Sequence, residues 1–92
     1  MKIAERTLEW ASEQDLEIIR LEPRDFFDRF ILGVAERCGM EAVLVYDLDA
    51  IRAAYVSEQG MTYEDADEYL SYNTIGAWLG DGTPLFLSRP EF

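Results

Sequence analysis

Apolar and small positions in the first dozen residues recur at helical spacing. Ile3, Ala4, Thr7, Leu8 and Ala11 fall on one face, which predicts a short amphipathic helix over residues 2–12. The next run, Leu16-Glu-Ile-Ile-Arg-Leu-Glu22, is β-branched in its middle and stopped by Pro23. It reads as a strand, with extension of the first helix as the alternative. Pro23 suits the opening turn of a helix over about 24–38, in which Phe26, Phe27, Phe30, Ile31, Val34 and Cys38 gather on one face opposite Asp25, Asp28, Arg29 and Glu36. This is the strongest core signal in the chain, and Gly39 is placed to terminate it in a left-handed conformation.

The second half is punctuated by caps. Ala42-Val-Leu-Val-Tyr46 is a short continuous apolar run, consistent with a buried strand or a turn into the next helix. Asp47 then N-caps a helix over 48–59, with Leu48, Ile51 and Tyr55 inward and Gly60 at its end. Thr62-x-x-Asp65 resembles a capping box with Asp in place of Glu or Gln. The helix it opens sets Tyr63, Ala66, Tyr69, Leu70 and Asn73 on one side and Glu64, Asp65, Asp67 and Glu68 on the other, with a further turn through Ala77. Gly80-Asp-Gly-Thr-Pro84 is a turn cluster, and Leu85-Phe-Leu87 a closing strand. The pattern predicts an α+β fold: one small domain over residues 1–92, with three to four helices and two or three short strands.

Composition supports a packed core in this domain. An apolar fraction of 49% and 13% aromatic residues argue against disorder, and Trp10, Tyr46, Tyr55, Tyr72 and Trp78 are expected mainly in the core. One cysteine, Cys38, excludes an internal disulfide and is expected to be a buried filler. Charges are scattered through residues 1–20 and no stretch approaches a membrane span, so the chain reads as a cytoplasmic protein without membrane association.

Charge changes the picture most. Against 19 Asp+Glu stand 8 Lys+Arg, a formal charge of −11 on 92 residues. Between Arg52 and Arg89 lie Glu58, Glu64, Asp65, Asp67, Glu68 and Asp81 with no positive side chain among them. Such a surface repels nucleic acid and attracts basic proteins.

Candidate chemistry is sparse. With no histidine and one cysteine, the usual zinc, copper and haem sites and the Ser-His or Cys-His nucleophilic systems are nearly excluded, and no cofactor or metal is expected. The Gly80–Gly82 turn matches neither GxGxxG nor a Walker loop. Asp47-x-Asp49 continues as Ala50-Ile51-Arg52, where a calcium loop needs oxygen ligands, so these acids read as a cap and a first-turn acid. Most of the acids fall on polar faces, where no apolar pocket raises a carboxyl pKa for two-carboxylate hydrolysis. The expectation is a protein that is not an enzyme.

The acidic helix has two readings. Acids in a first helical turn complement the helix dipole and need no further purpose. They also space negative charge a few ångströms apart on an element rising about 1.5 Å per residue, against about one charge per 1.7 Å in duplex DNA. With Asp47, Asp49, Glu58 and Asp81, the stripe Glu64, Asp65, Asp67 and Glu68 forms the candidate partner-binding set for a basic groove built for phosphates.

The motifs Tyr46-Asp47, Gly60-Met-Thr-Tyr-Glu-Asp-Ala-Asp-Glu-Tyr-Leu70, Tyr72-Asn73, Gly76-Ala77 and Gly80-x-Gly-Thr-Pro-Leu-Phe86 resemble, in their order, a pattern in small uncharacterised proteins of bacteriophages and their hosts. The resemblance covers a little under half the chain. It implies a phage or mobile-element origin and, by analogy with small acidic phage-borne inhibitors, an anti-CRISPR-like DNA mimic. Its partner is then a basic nucleic-acid-binding protein or complex, such as a CRISPR surveillance complex, in the bacterial cytoplasm. The alternative is a phage accessory or assembly protein whose acidity only confers solubility.

Repulsion among 19 acids sets one expectation at this level. The melting temperature rises as NaCl is raised from low to moderate concentration, because screening relieves the folded state most. A steady fall over the same range in a thermal melt excludes a dense acidic surface.

Overall fold

The computed structural model of the chain describes residues 3–75, 80 and 82–89. Helix α1 (Ile3–Glu13) is followed by an extended segment and then by α2 (Arg24–Phe27), which tightens into a 3₁₀ turn, Asp28–Phe30. Strands β1 (Ile31–Ala35) and β2 (Val43–Asp47) come next, then α3 (Leu48–Gln59) and α4 (Tyr63–Leu70). A π-helical turn, Ser71–Ile75, extends α4, and β3 (Leu85–Leu87) closes the fold. The order in the sheet is β1-β2-β3, with β1 antiparallel and β3 parallel to the central strand. The class is α+β in one compact domain, with four α-helices and three strands among the described residues.

Local signals account for the helix ends. α1 stops in a Schellman motif: Asp15 takes a left-handed φ of 59°, Leu16 N–H donates to the Ala11 carbonyl at 3.0 Å, and Asp15 N–H donates to Ser12 at 3.1 Å. The Asp47 carboxylate caps α3 by accepting from Ala50 N–H at 3.1 Å, and Gly60 ends that helix at φ 71°. An L side chain is strained at such a φ, which explains glycine there. The Thr62 hydroxyl oxygen accepts from Asp65 N–H at 3.1 Å and opens α4.

Residues 24–38 do not form the single helix that their periodicity predicts. Only 24–27 are α-helical, and Ile31–Ala35 is a strand. Leu44 and Tyr46 on β2 are fully buried, and a buried strand's backbone groups need ladder partners that only another strand provides. Ile31 and Val34 are β-branched and Gly33 costs about 1 kcal/mol in a helix, so this segment supplies the partner. A bulge at Leu32 lets Ile31 face Tyr46 while Gly33 faces Val45.

Two smaller expectations change with it. Cys38 is exposed in the turn joining β1 to β2, not packed in the core. Gly39, at φ 77°, serves that turn, which Met40 N–H closes on the Arg37 carbonyl at 3.0 Å. Residues 16–22 form no strand either: they join neither edge of the sheet, and Leu21 N–H bonds a side chain in place of a ladder partner. They run as an extended strap over the core. Leu21 N–H donates to the Tyr46 hydroxyl at 2.9 Å, and Ile19 lies against Gly82, where a Cβ would sit 3.0 Å from Ile19 Cδ1.

The core gathers Leu21, Phe27, Ile31, Leu44, Tyr46, Leu48, Ile51, Tyr55, Ala66 and Leu70. Tyr46 is its centre: its ring meets Phe27 edge-on at 6.5 Å and stacks on Phe86 at 6.1 Å. Burial pushes its phenol pKa up. Of the other aromatics expected inside, Tyr55 is buried, whereas Trp10 and Tyr72 are exposed; Trp78 and Ala77 lie outside the described residues.

Tyr72 stands on the π-helical turn, beyond the last buried residue of α4, Leu70, and so points away from that core.

The Tyr46–Leu21 bond ties the strap to the sheet, and its loss leaves a buried N–H without a partner. Tyr46→Phe is expected to lower stability by about 1–3 kcal/mol in urea unfolding. Tyr72→Phe, on an exposed ring, leaves stability within about 0.5 kcal/mol of the parent.

Candidate functional site

Of the eight acids singled out by sequence, the seven that the structure describes divide into three groups in space. Asp47 is 8% exposed and is committed twice, as the cap of α3 and as the partner of the Arg89 guanidinium at 2.7 Å. Asp49, in the first turn of the same helix, accepts from Arg89 N–H at 2.8 Å and from Arg52 at 3.3 Å. Asp67 on α4 meets Arg52 at 3.0 Å. These three acids therefore converge on two arginines, which in sequence merely bound the basic-free window.

Glu58 sits at the opposite end of α3 from Asp49, paired with Arg29 at 2.7 Å. Glu64, Asp65 and Glu68 are exposed on α4, and their carboxylates meet no cation among the described residues. Asp81 lies outside the described residues.

The pairs alter acidity where the geometry is closest. The Arg89 backbone N–H, helped by Arg52, holds the Asp49 carboxyl below its ordinary value. The hydrogen bond from Arg29 does the same for Glu58. Exposed pairs of this kind add little stability. Their main consequence is that four acids already hold a cation.

A cleft of about 650 Å³ opens beside the Arg52 cluster, lined by Asp49, Arg52, Ala53, Val56, Tyr63, Ser88 and Arg89. Arg52 also lies over the Tyr63 ring, 5.2 Å from its centre. Positive and negative groups alternate here, so this cleft is no acidic funnel.

The outer side of α4 differs. Tyr63, Tyr69 and Tyr72 are 63%, 44% and 78% exposed, although helical periodicity places Tyr63 and Tyr69 on the inner face with Ala66 and Leu70. The helix is eight residues long, and the buried Ala66 and Leu70 occupy its inward contact, leaving the tyrosines at its margins. Tyr69 meets Tyr55 in a T-shaped contact, at 5.3 Å between ring centres. A depression of about 280 Å³ is lined by Asp65, Glu68, Tyr69, Tyr72 and Asn73.

A second row of exposed acids, Glu5, Glu9 and Glu13, runs along α1. Its four-residue spacing is a sequence signal that attention to the basic-free window passes over.

Compared with known proteins, the chain matches no family model, no curated protein and no solved structure. No helix among the described residues is long and apolar enough to cross a membrane. The fold and surface define a small α+β protein with an acidic, tyrosine-bearing helix.

Because Arg29 holds the folded-state pKa of Glu58 below that of the unfolded chain, the contribution of this carboxylate is whole above the ordinary glutamate range. It disappears as pH falls through the depressed value. The stability difference between the parent and Glu58→Gln, followed by urea unfolding across pH, is accordingly constant near neutrality and vanishes in acid. A difference that grows on acidification overturns the pairing.

Proposed function

We propose that this protein is a non-enzymatic, anti-CRISPR-like inhibitor that sets its acidic face into a basic nucleic-acid-binding groove. The observation that carries the reading is the sorting of acids by their partners. Asp47, Asp49, Glu58 and Asp67 are held by arginines, whereas Glu64, Asp65 and Glu68, on one capped helix, meet no cation among the described residues. Those three are the contacts expected to replace phosphates. A net charge of −11 supplies the long-range attraction. The ordered motifs from Tyr46 to Phe86, with their resemblance to phage-borne proteins, support host defence as the setting. Binding draws on charge pairing with Arg and Lys and on release of the partner's counterions, so it weakens steeply with salt.

The second reading, a phage accessory protein made soluble by its acids, is favoured by the separate acidic row on α1, since solubility needs charge spread over the surface. DNA binding by a CRISPR surveillance complex, titrated with this protein, separates the two. Mimicry requires salt-sensitive loss of DNA binding, abolished by the combined Glu64→Lys, Asp65→Lys and Glu68→Lys substitutions in a variant with an unchanged circular dichroism spectrum. Equal inhibition by that variant sinks the α4 reading, and absence of inhibition by the parent leaves the accessory role.

A further inference from the structure

The fold holds two of its own arginines in the same kind of cradle. The Arg52 guanidinium lies over Tyr63 at 5.2 Å while bonding Asp67 at 3.0 Å and Asp49 at 3.3 Å. Arg29 lies 4.7 Å from the Phe30 ring and 5.1 Å from Phe26, with Glu58 at 2.7 Å. Each cradle pairs an aromatic face with a carboxylate, a combination suited to a planar, weakly hydrated cation with a fork of donors.

The outer face of α4 repeats these components without an arginine among the described residues. Tyr69 and Tyr72 line one depression with the carboxylates of Asp65 and Glu68, and Tyr72 makes no ring contact with a described residue. In each case the acid stands four residues before a tyrosine: Asp65 before Tyr69, and Glu68 before Tyr72. Tyr63 and Asp67, which share Arg52, have the same spacing in reverse. An exposed tyrosine in such a position is a large, rigid contact that is costly to leave in water.

We propose that the depression between Tyr69 and Tyr72 is a docking site for an arginine side chain on the surface of a basic protein partner. The site presupposes the groove-blocking reading above and deepens it, naming the partner group that α4 receives. Charge complementarity selects a cation, and the exposed rings select guanidinium over ammonium. Lysine has the charge but cannot lie flat on a tyrosine while reaching two carboxylates.

The test uses the full chain and two probes, N-acetylarginine amide and N-acetyllysine amide, followed by NMR of the tyrosine rings. The arginine probe is expected to shift Tyr69 and Tyr72 saturably and to bind about threefold more tightly than the lysine probe. Tyr72→Ala and Glu68→Gln, both exposed substitutions, each weaken it about threefold. Equal binding of the two probes, or shifts centred on α1, overturns the site. Failure of the groove reading looks different: arginine seats on Tyr69 and Tyr72, yet the protein does not displace DNA. Conversely, DNA displacement that the triple charge reversal abolishes and Tyr72→Ala leaves intact retains the groove and removes the arginine site.

Discussion

The backbone of the central strand, Val43–Asp47, is buried, and its polar groups must be satisfied inside the protein. Most of the architecture follows from that requirement. β1 is drawn out of a helical pattern to pair on one side, and β3 returns from the far end of the chain to pair on the other. The parallel sense of β3 requires a crossover, which α3 and α4 provide. Tyr46 extends the same logic to its side chain, whose hydroxyl receives Leu21 N–H and so fastens the strap between α1 and α2.

At the end of this strand the chain turns into α3, and Asp47 is the point of change. Its carboxylate takes up a free helical N–H and the Arg89 guanidinium together, so a nearly buried charge is hydrogen-bonded and paired. The two arginines that border the acidic window fold back onto Asp47 and Asp49, which precede it, and onto Asp67 within it. What is left outward is the polar side of α4, where Glu64, Asp65 and Glu68 alternate with exposed tyrosines. Charge and aromatic area thus meet on α4, three of whose acids meet no cation among the described residues.

Much was legible from the sequence. α1, α3, α4, β2 and β3 carry local signals: a 3-4 apolar spacing, Asp47 and Thr62 as caps, Gly60 at positive φ, an apolar run, and a turn cluster before Leu85. Each of these depends on residues close in sequence, so each can be read from the chain. The segment 24–38 departs from its helical period because Phe27, Ile31 and Val34 satisfy that period and a strand's core needs alike, and period does not report who the neighbour is. Cys38 is exposed for the same reason, since it follows the strand into a turn.

The candidate site was legible only in part. Sequence determined the local elements, the charge of −11 and the acids that α4 carries. Tertiary structure decided which acids hold a cation, because Arg89 reaches Asp47 across 42 residues and Arg29 reaches Glu58 across 29. It also decided that Tyr63 and Tyr69 face outward, since the width of the contact around Ala66 and Leu70 is set by what packs there. Short-range physics is written in the order of residues, whereas ion pairing and exposure depend on distances that exist only once the chain has folded.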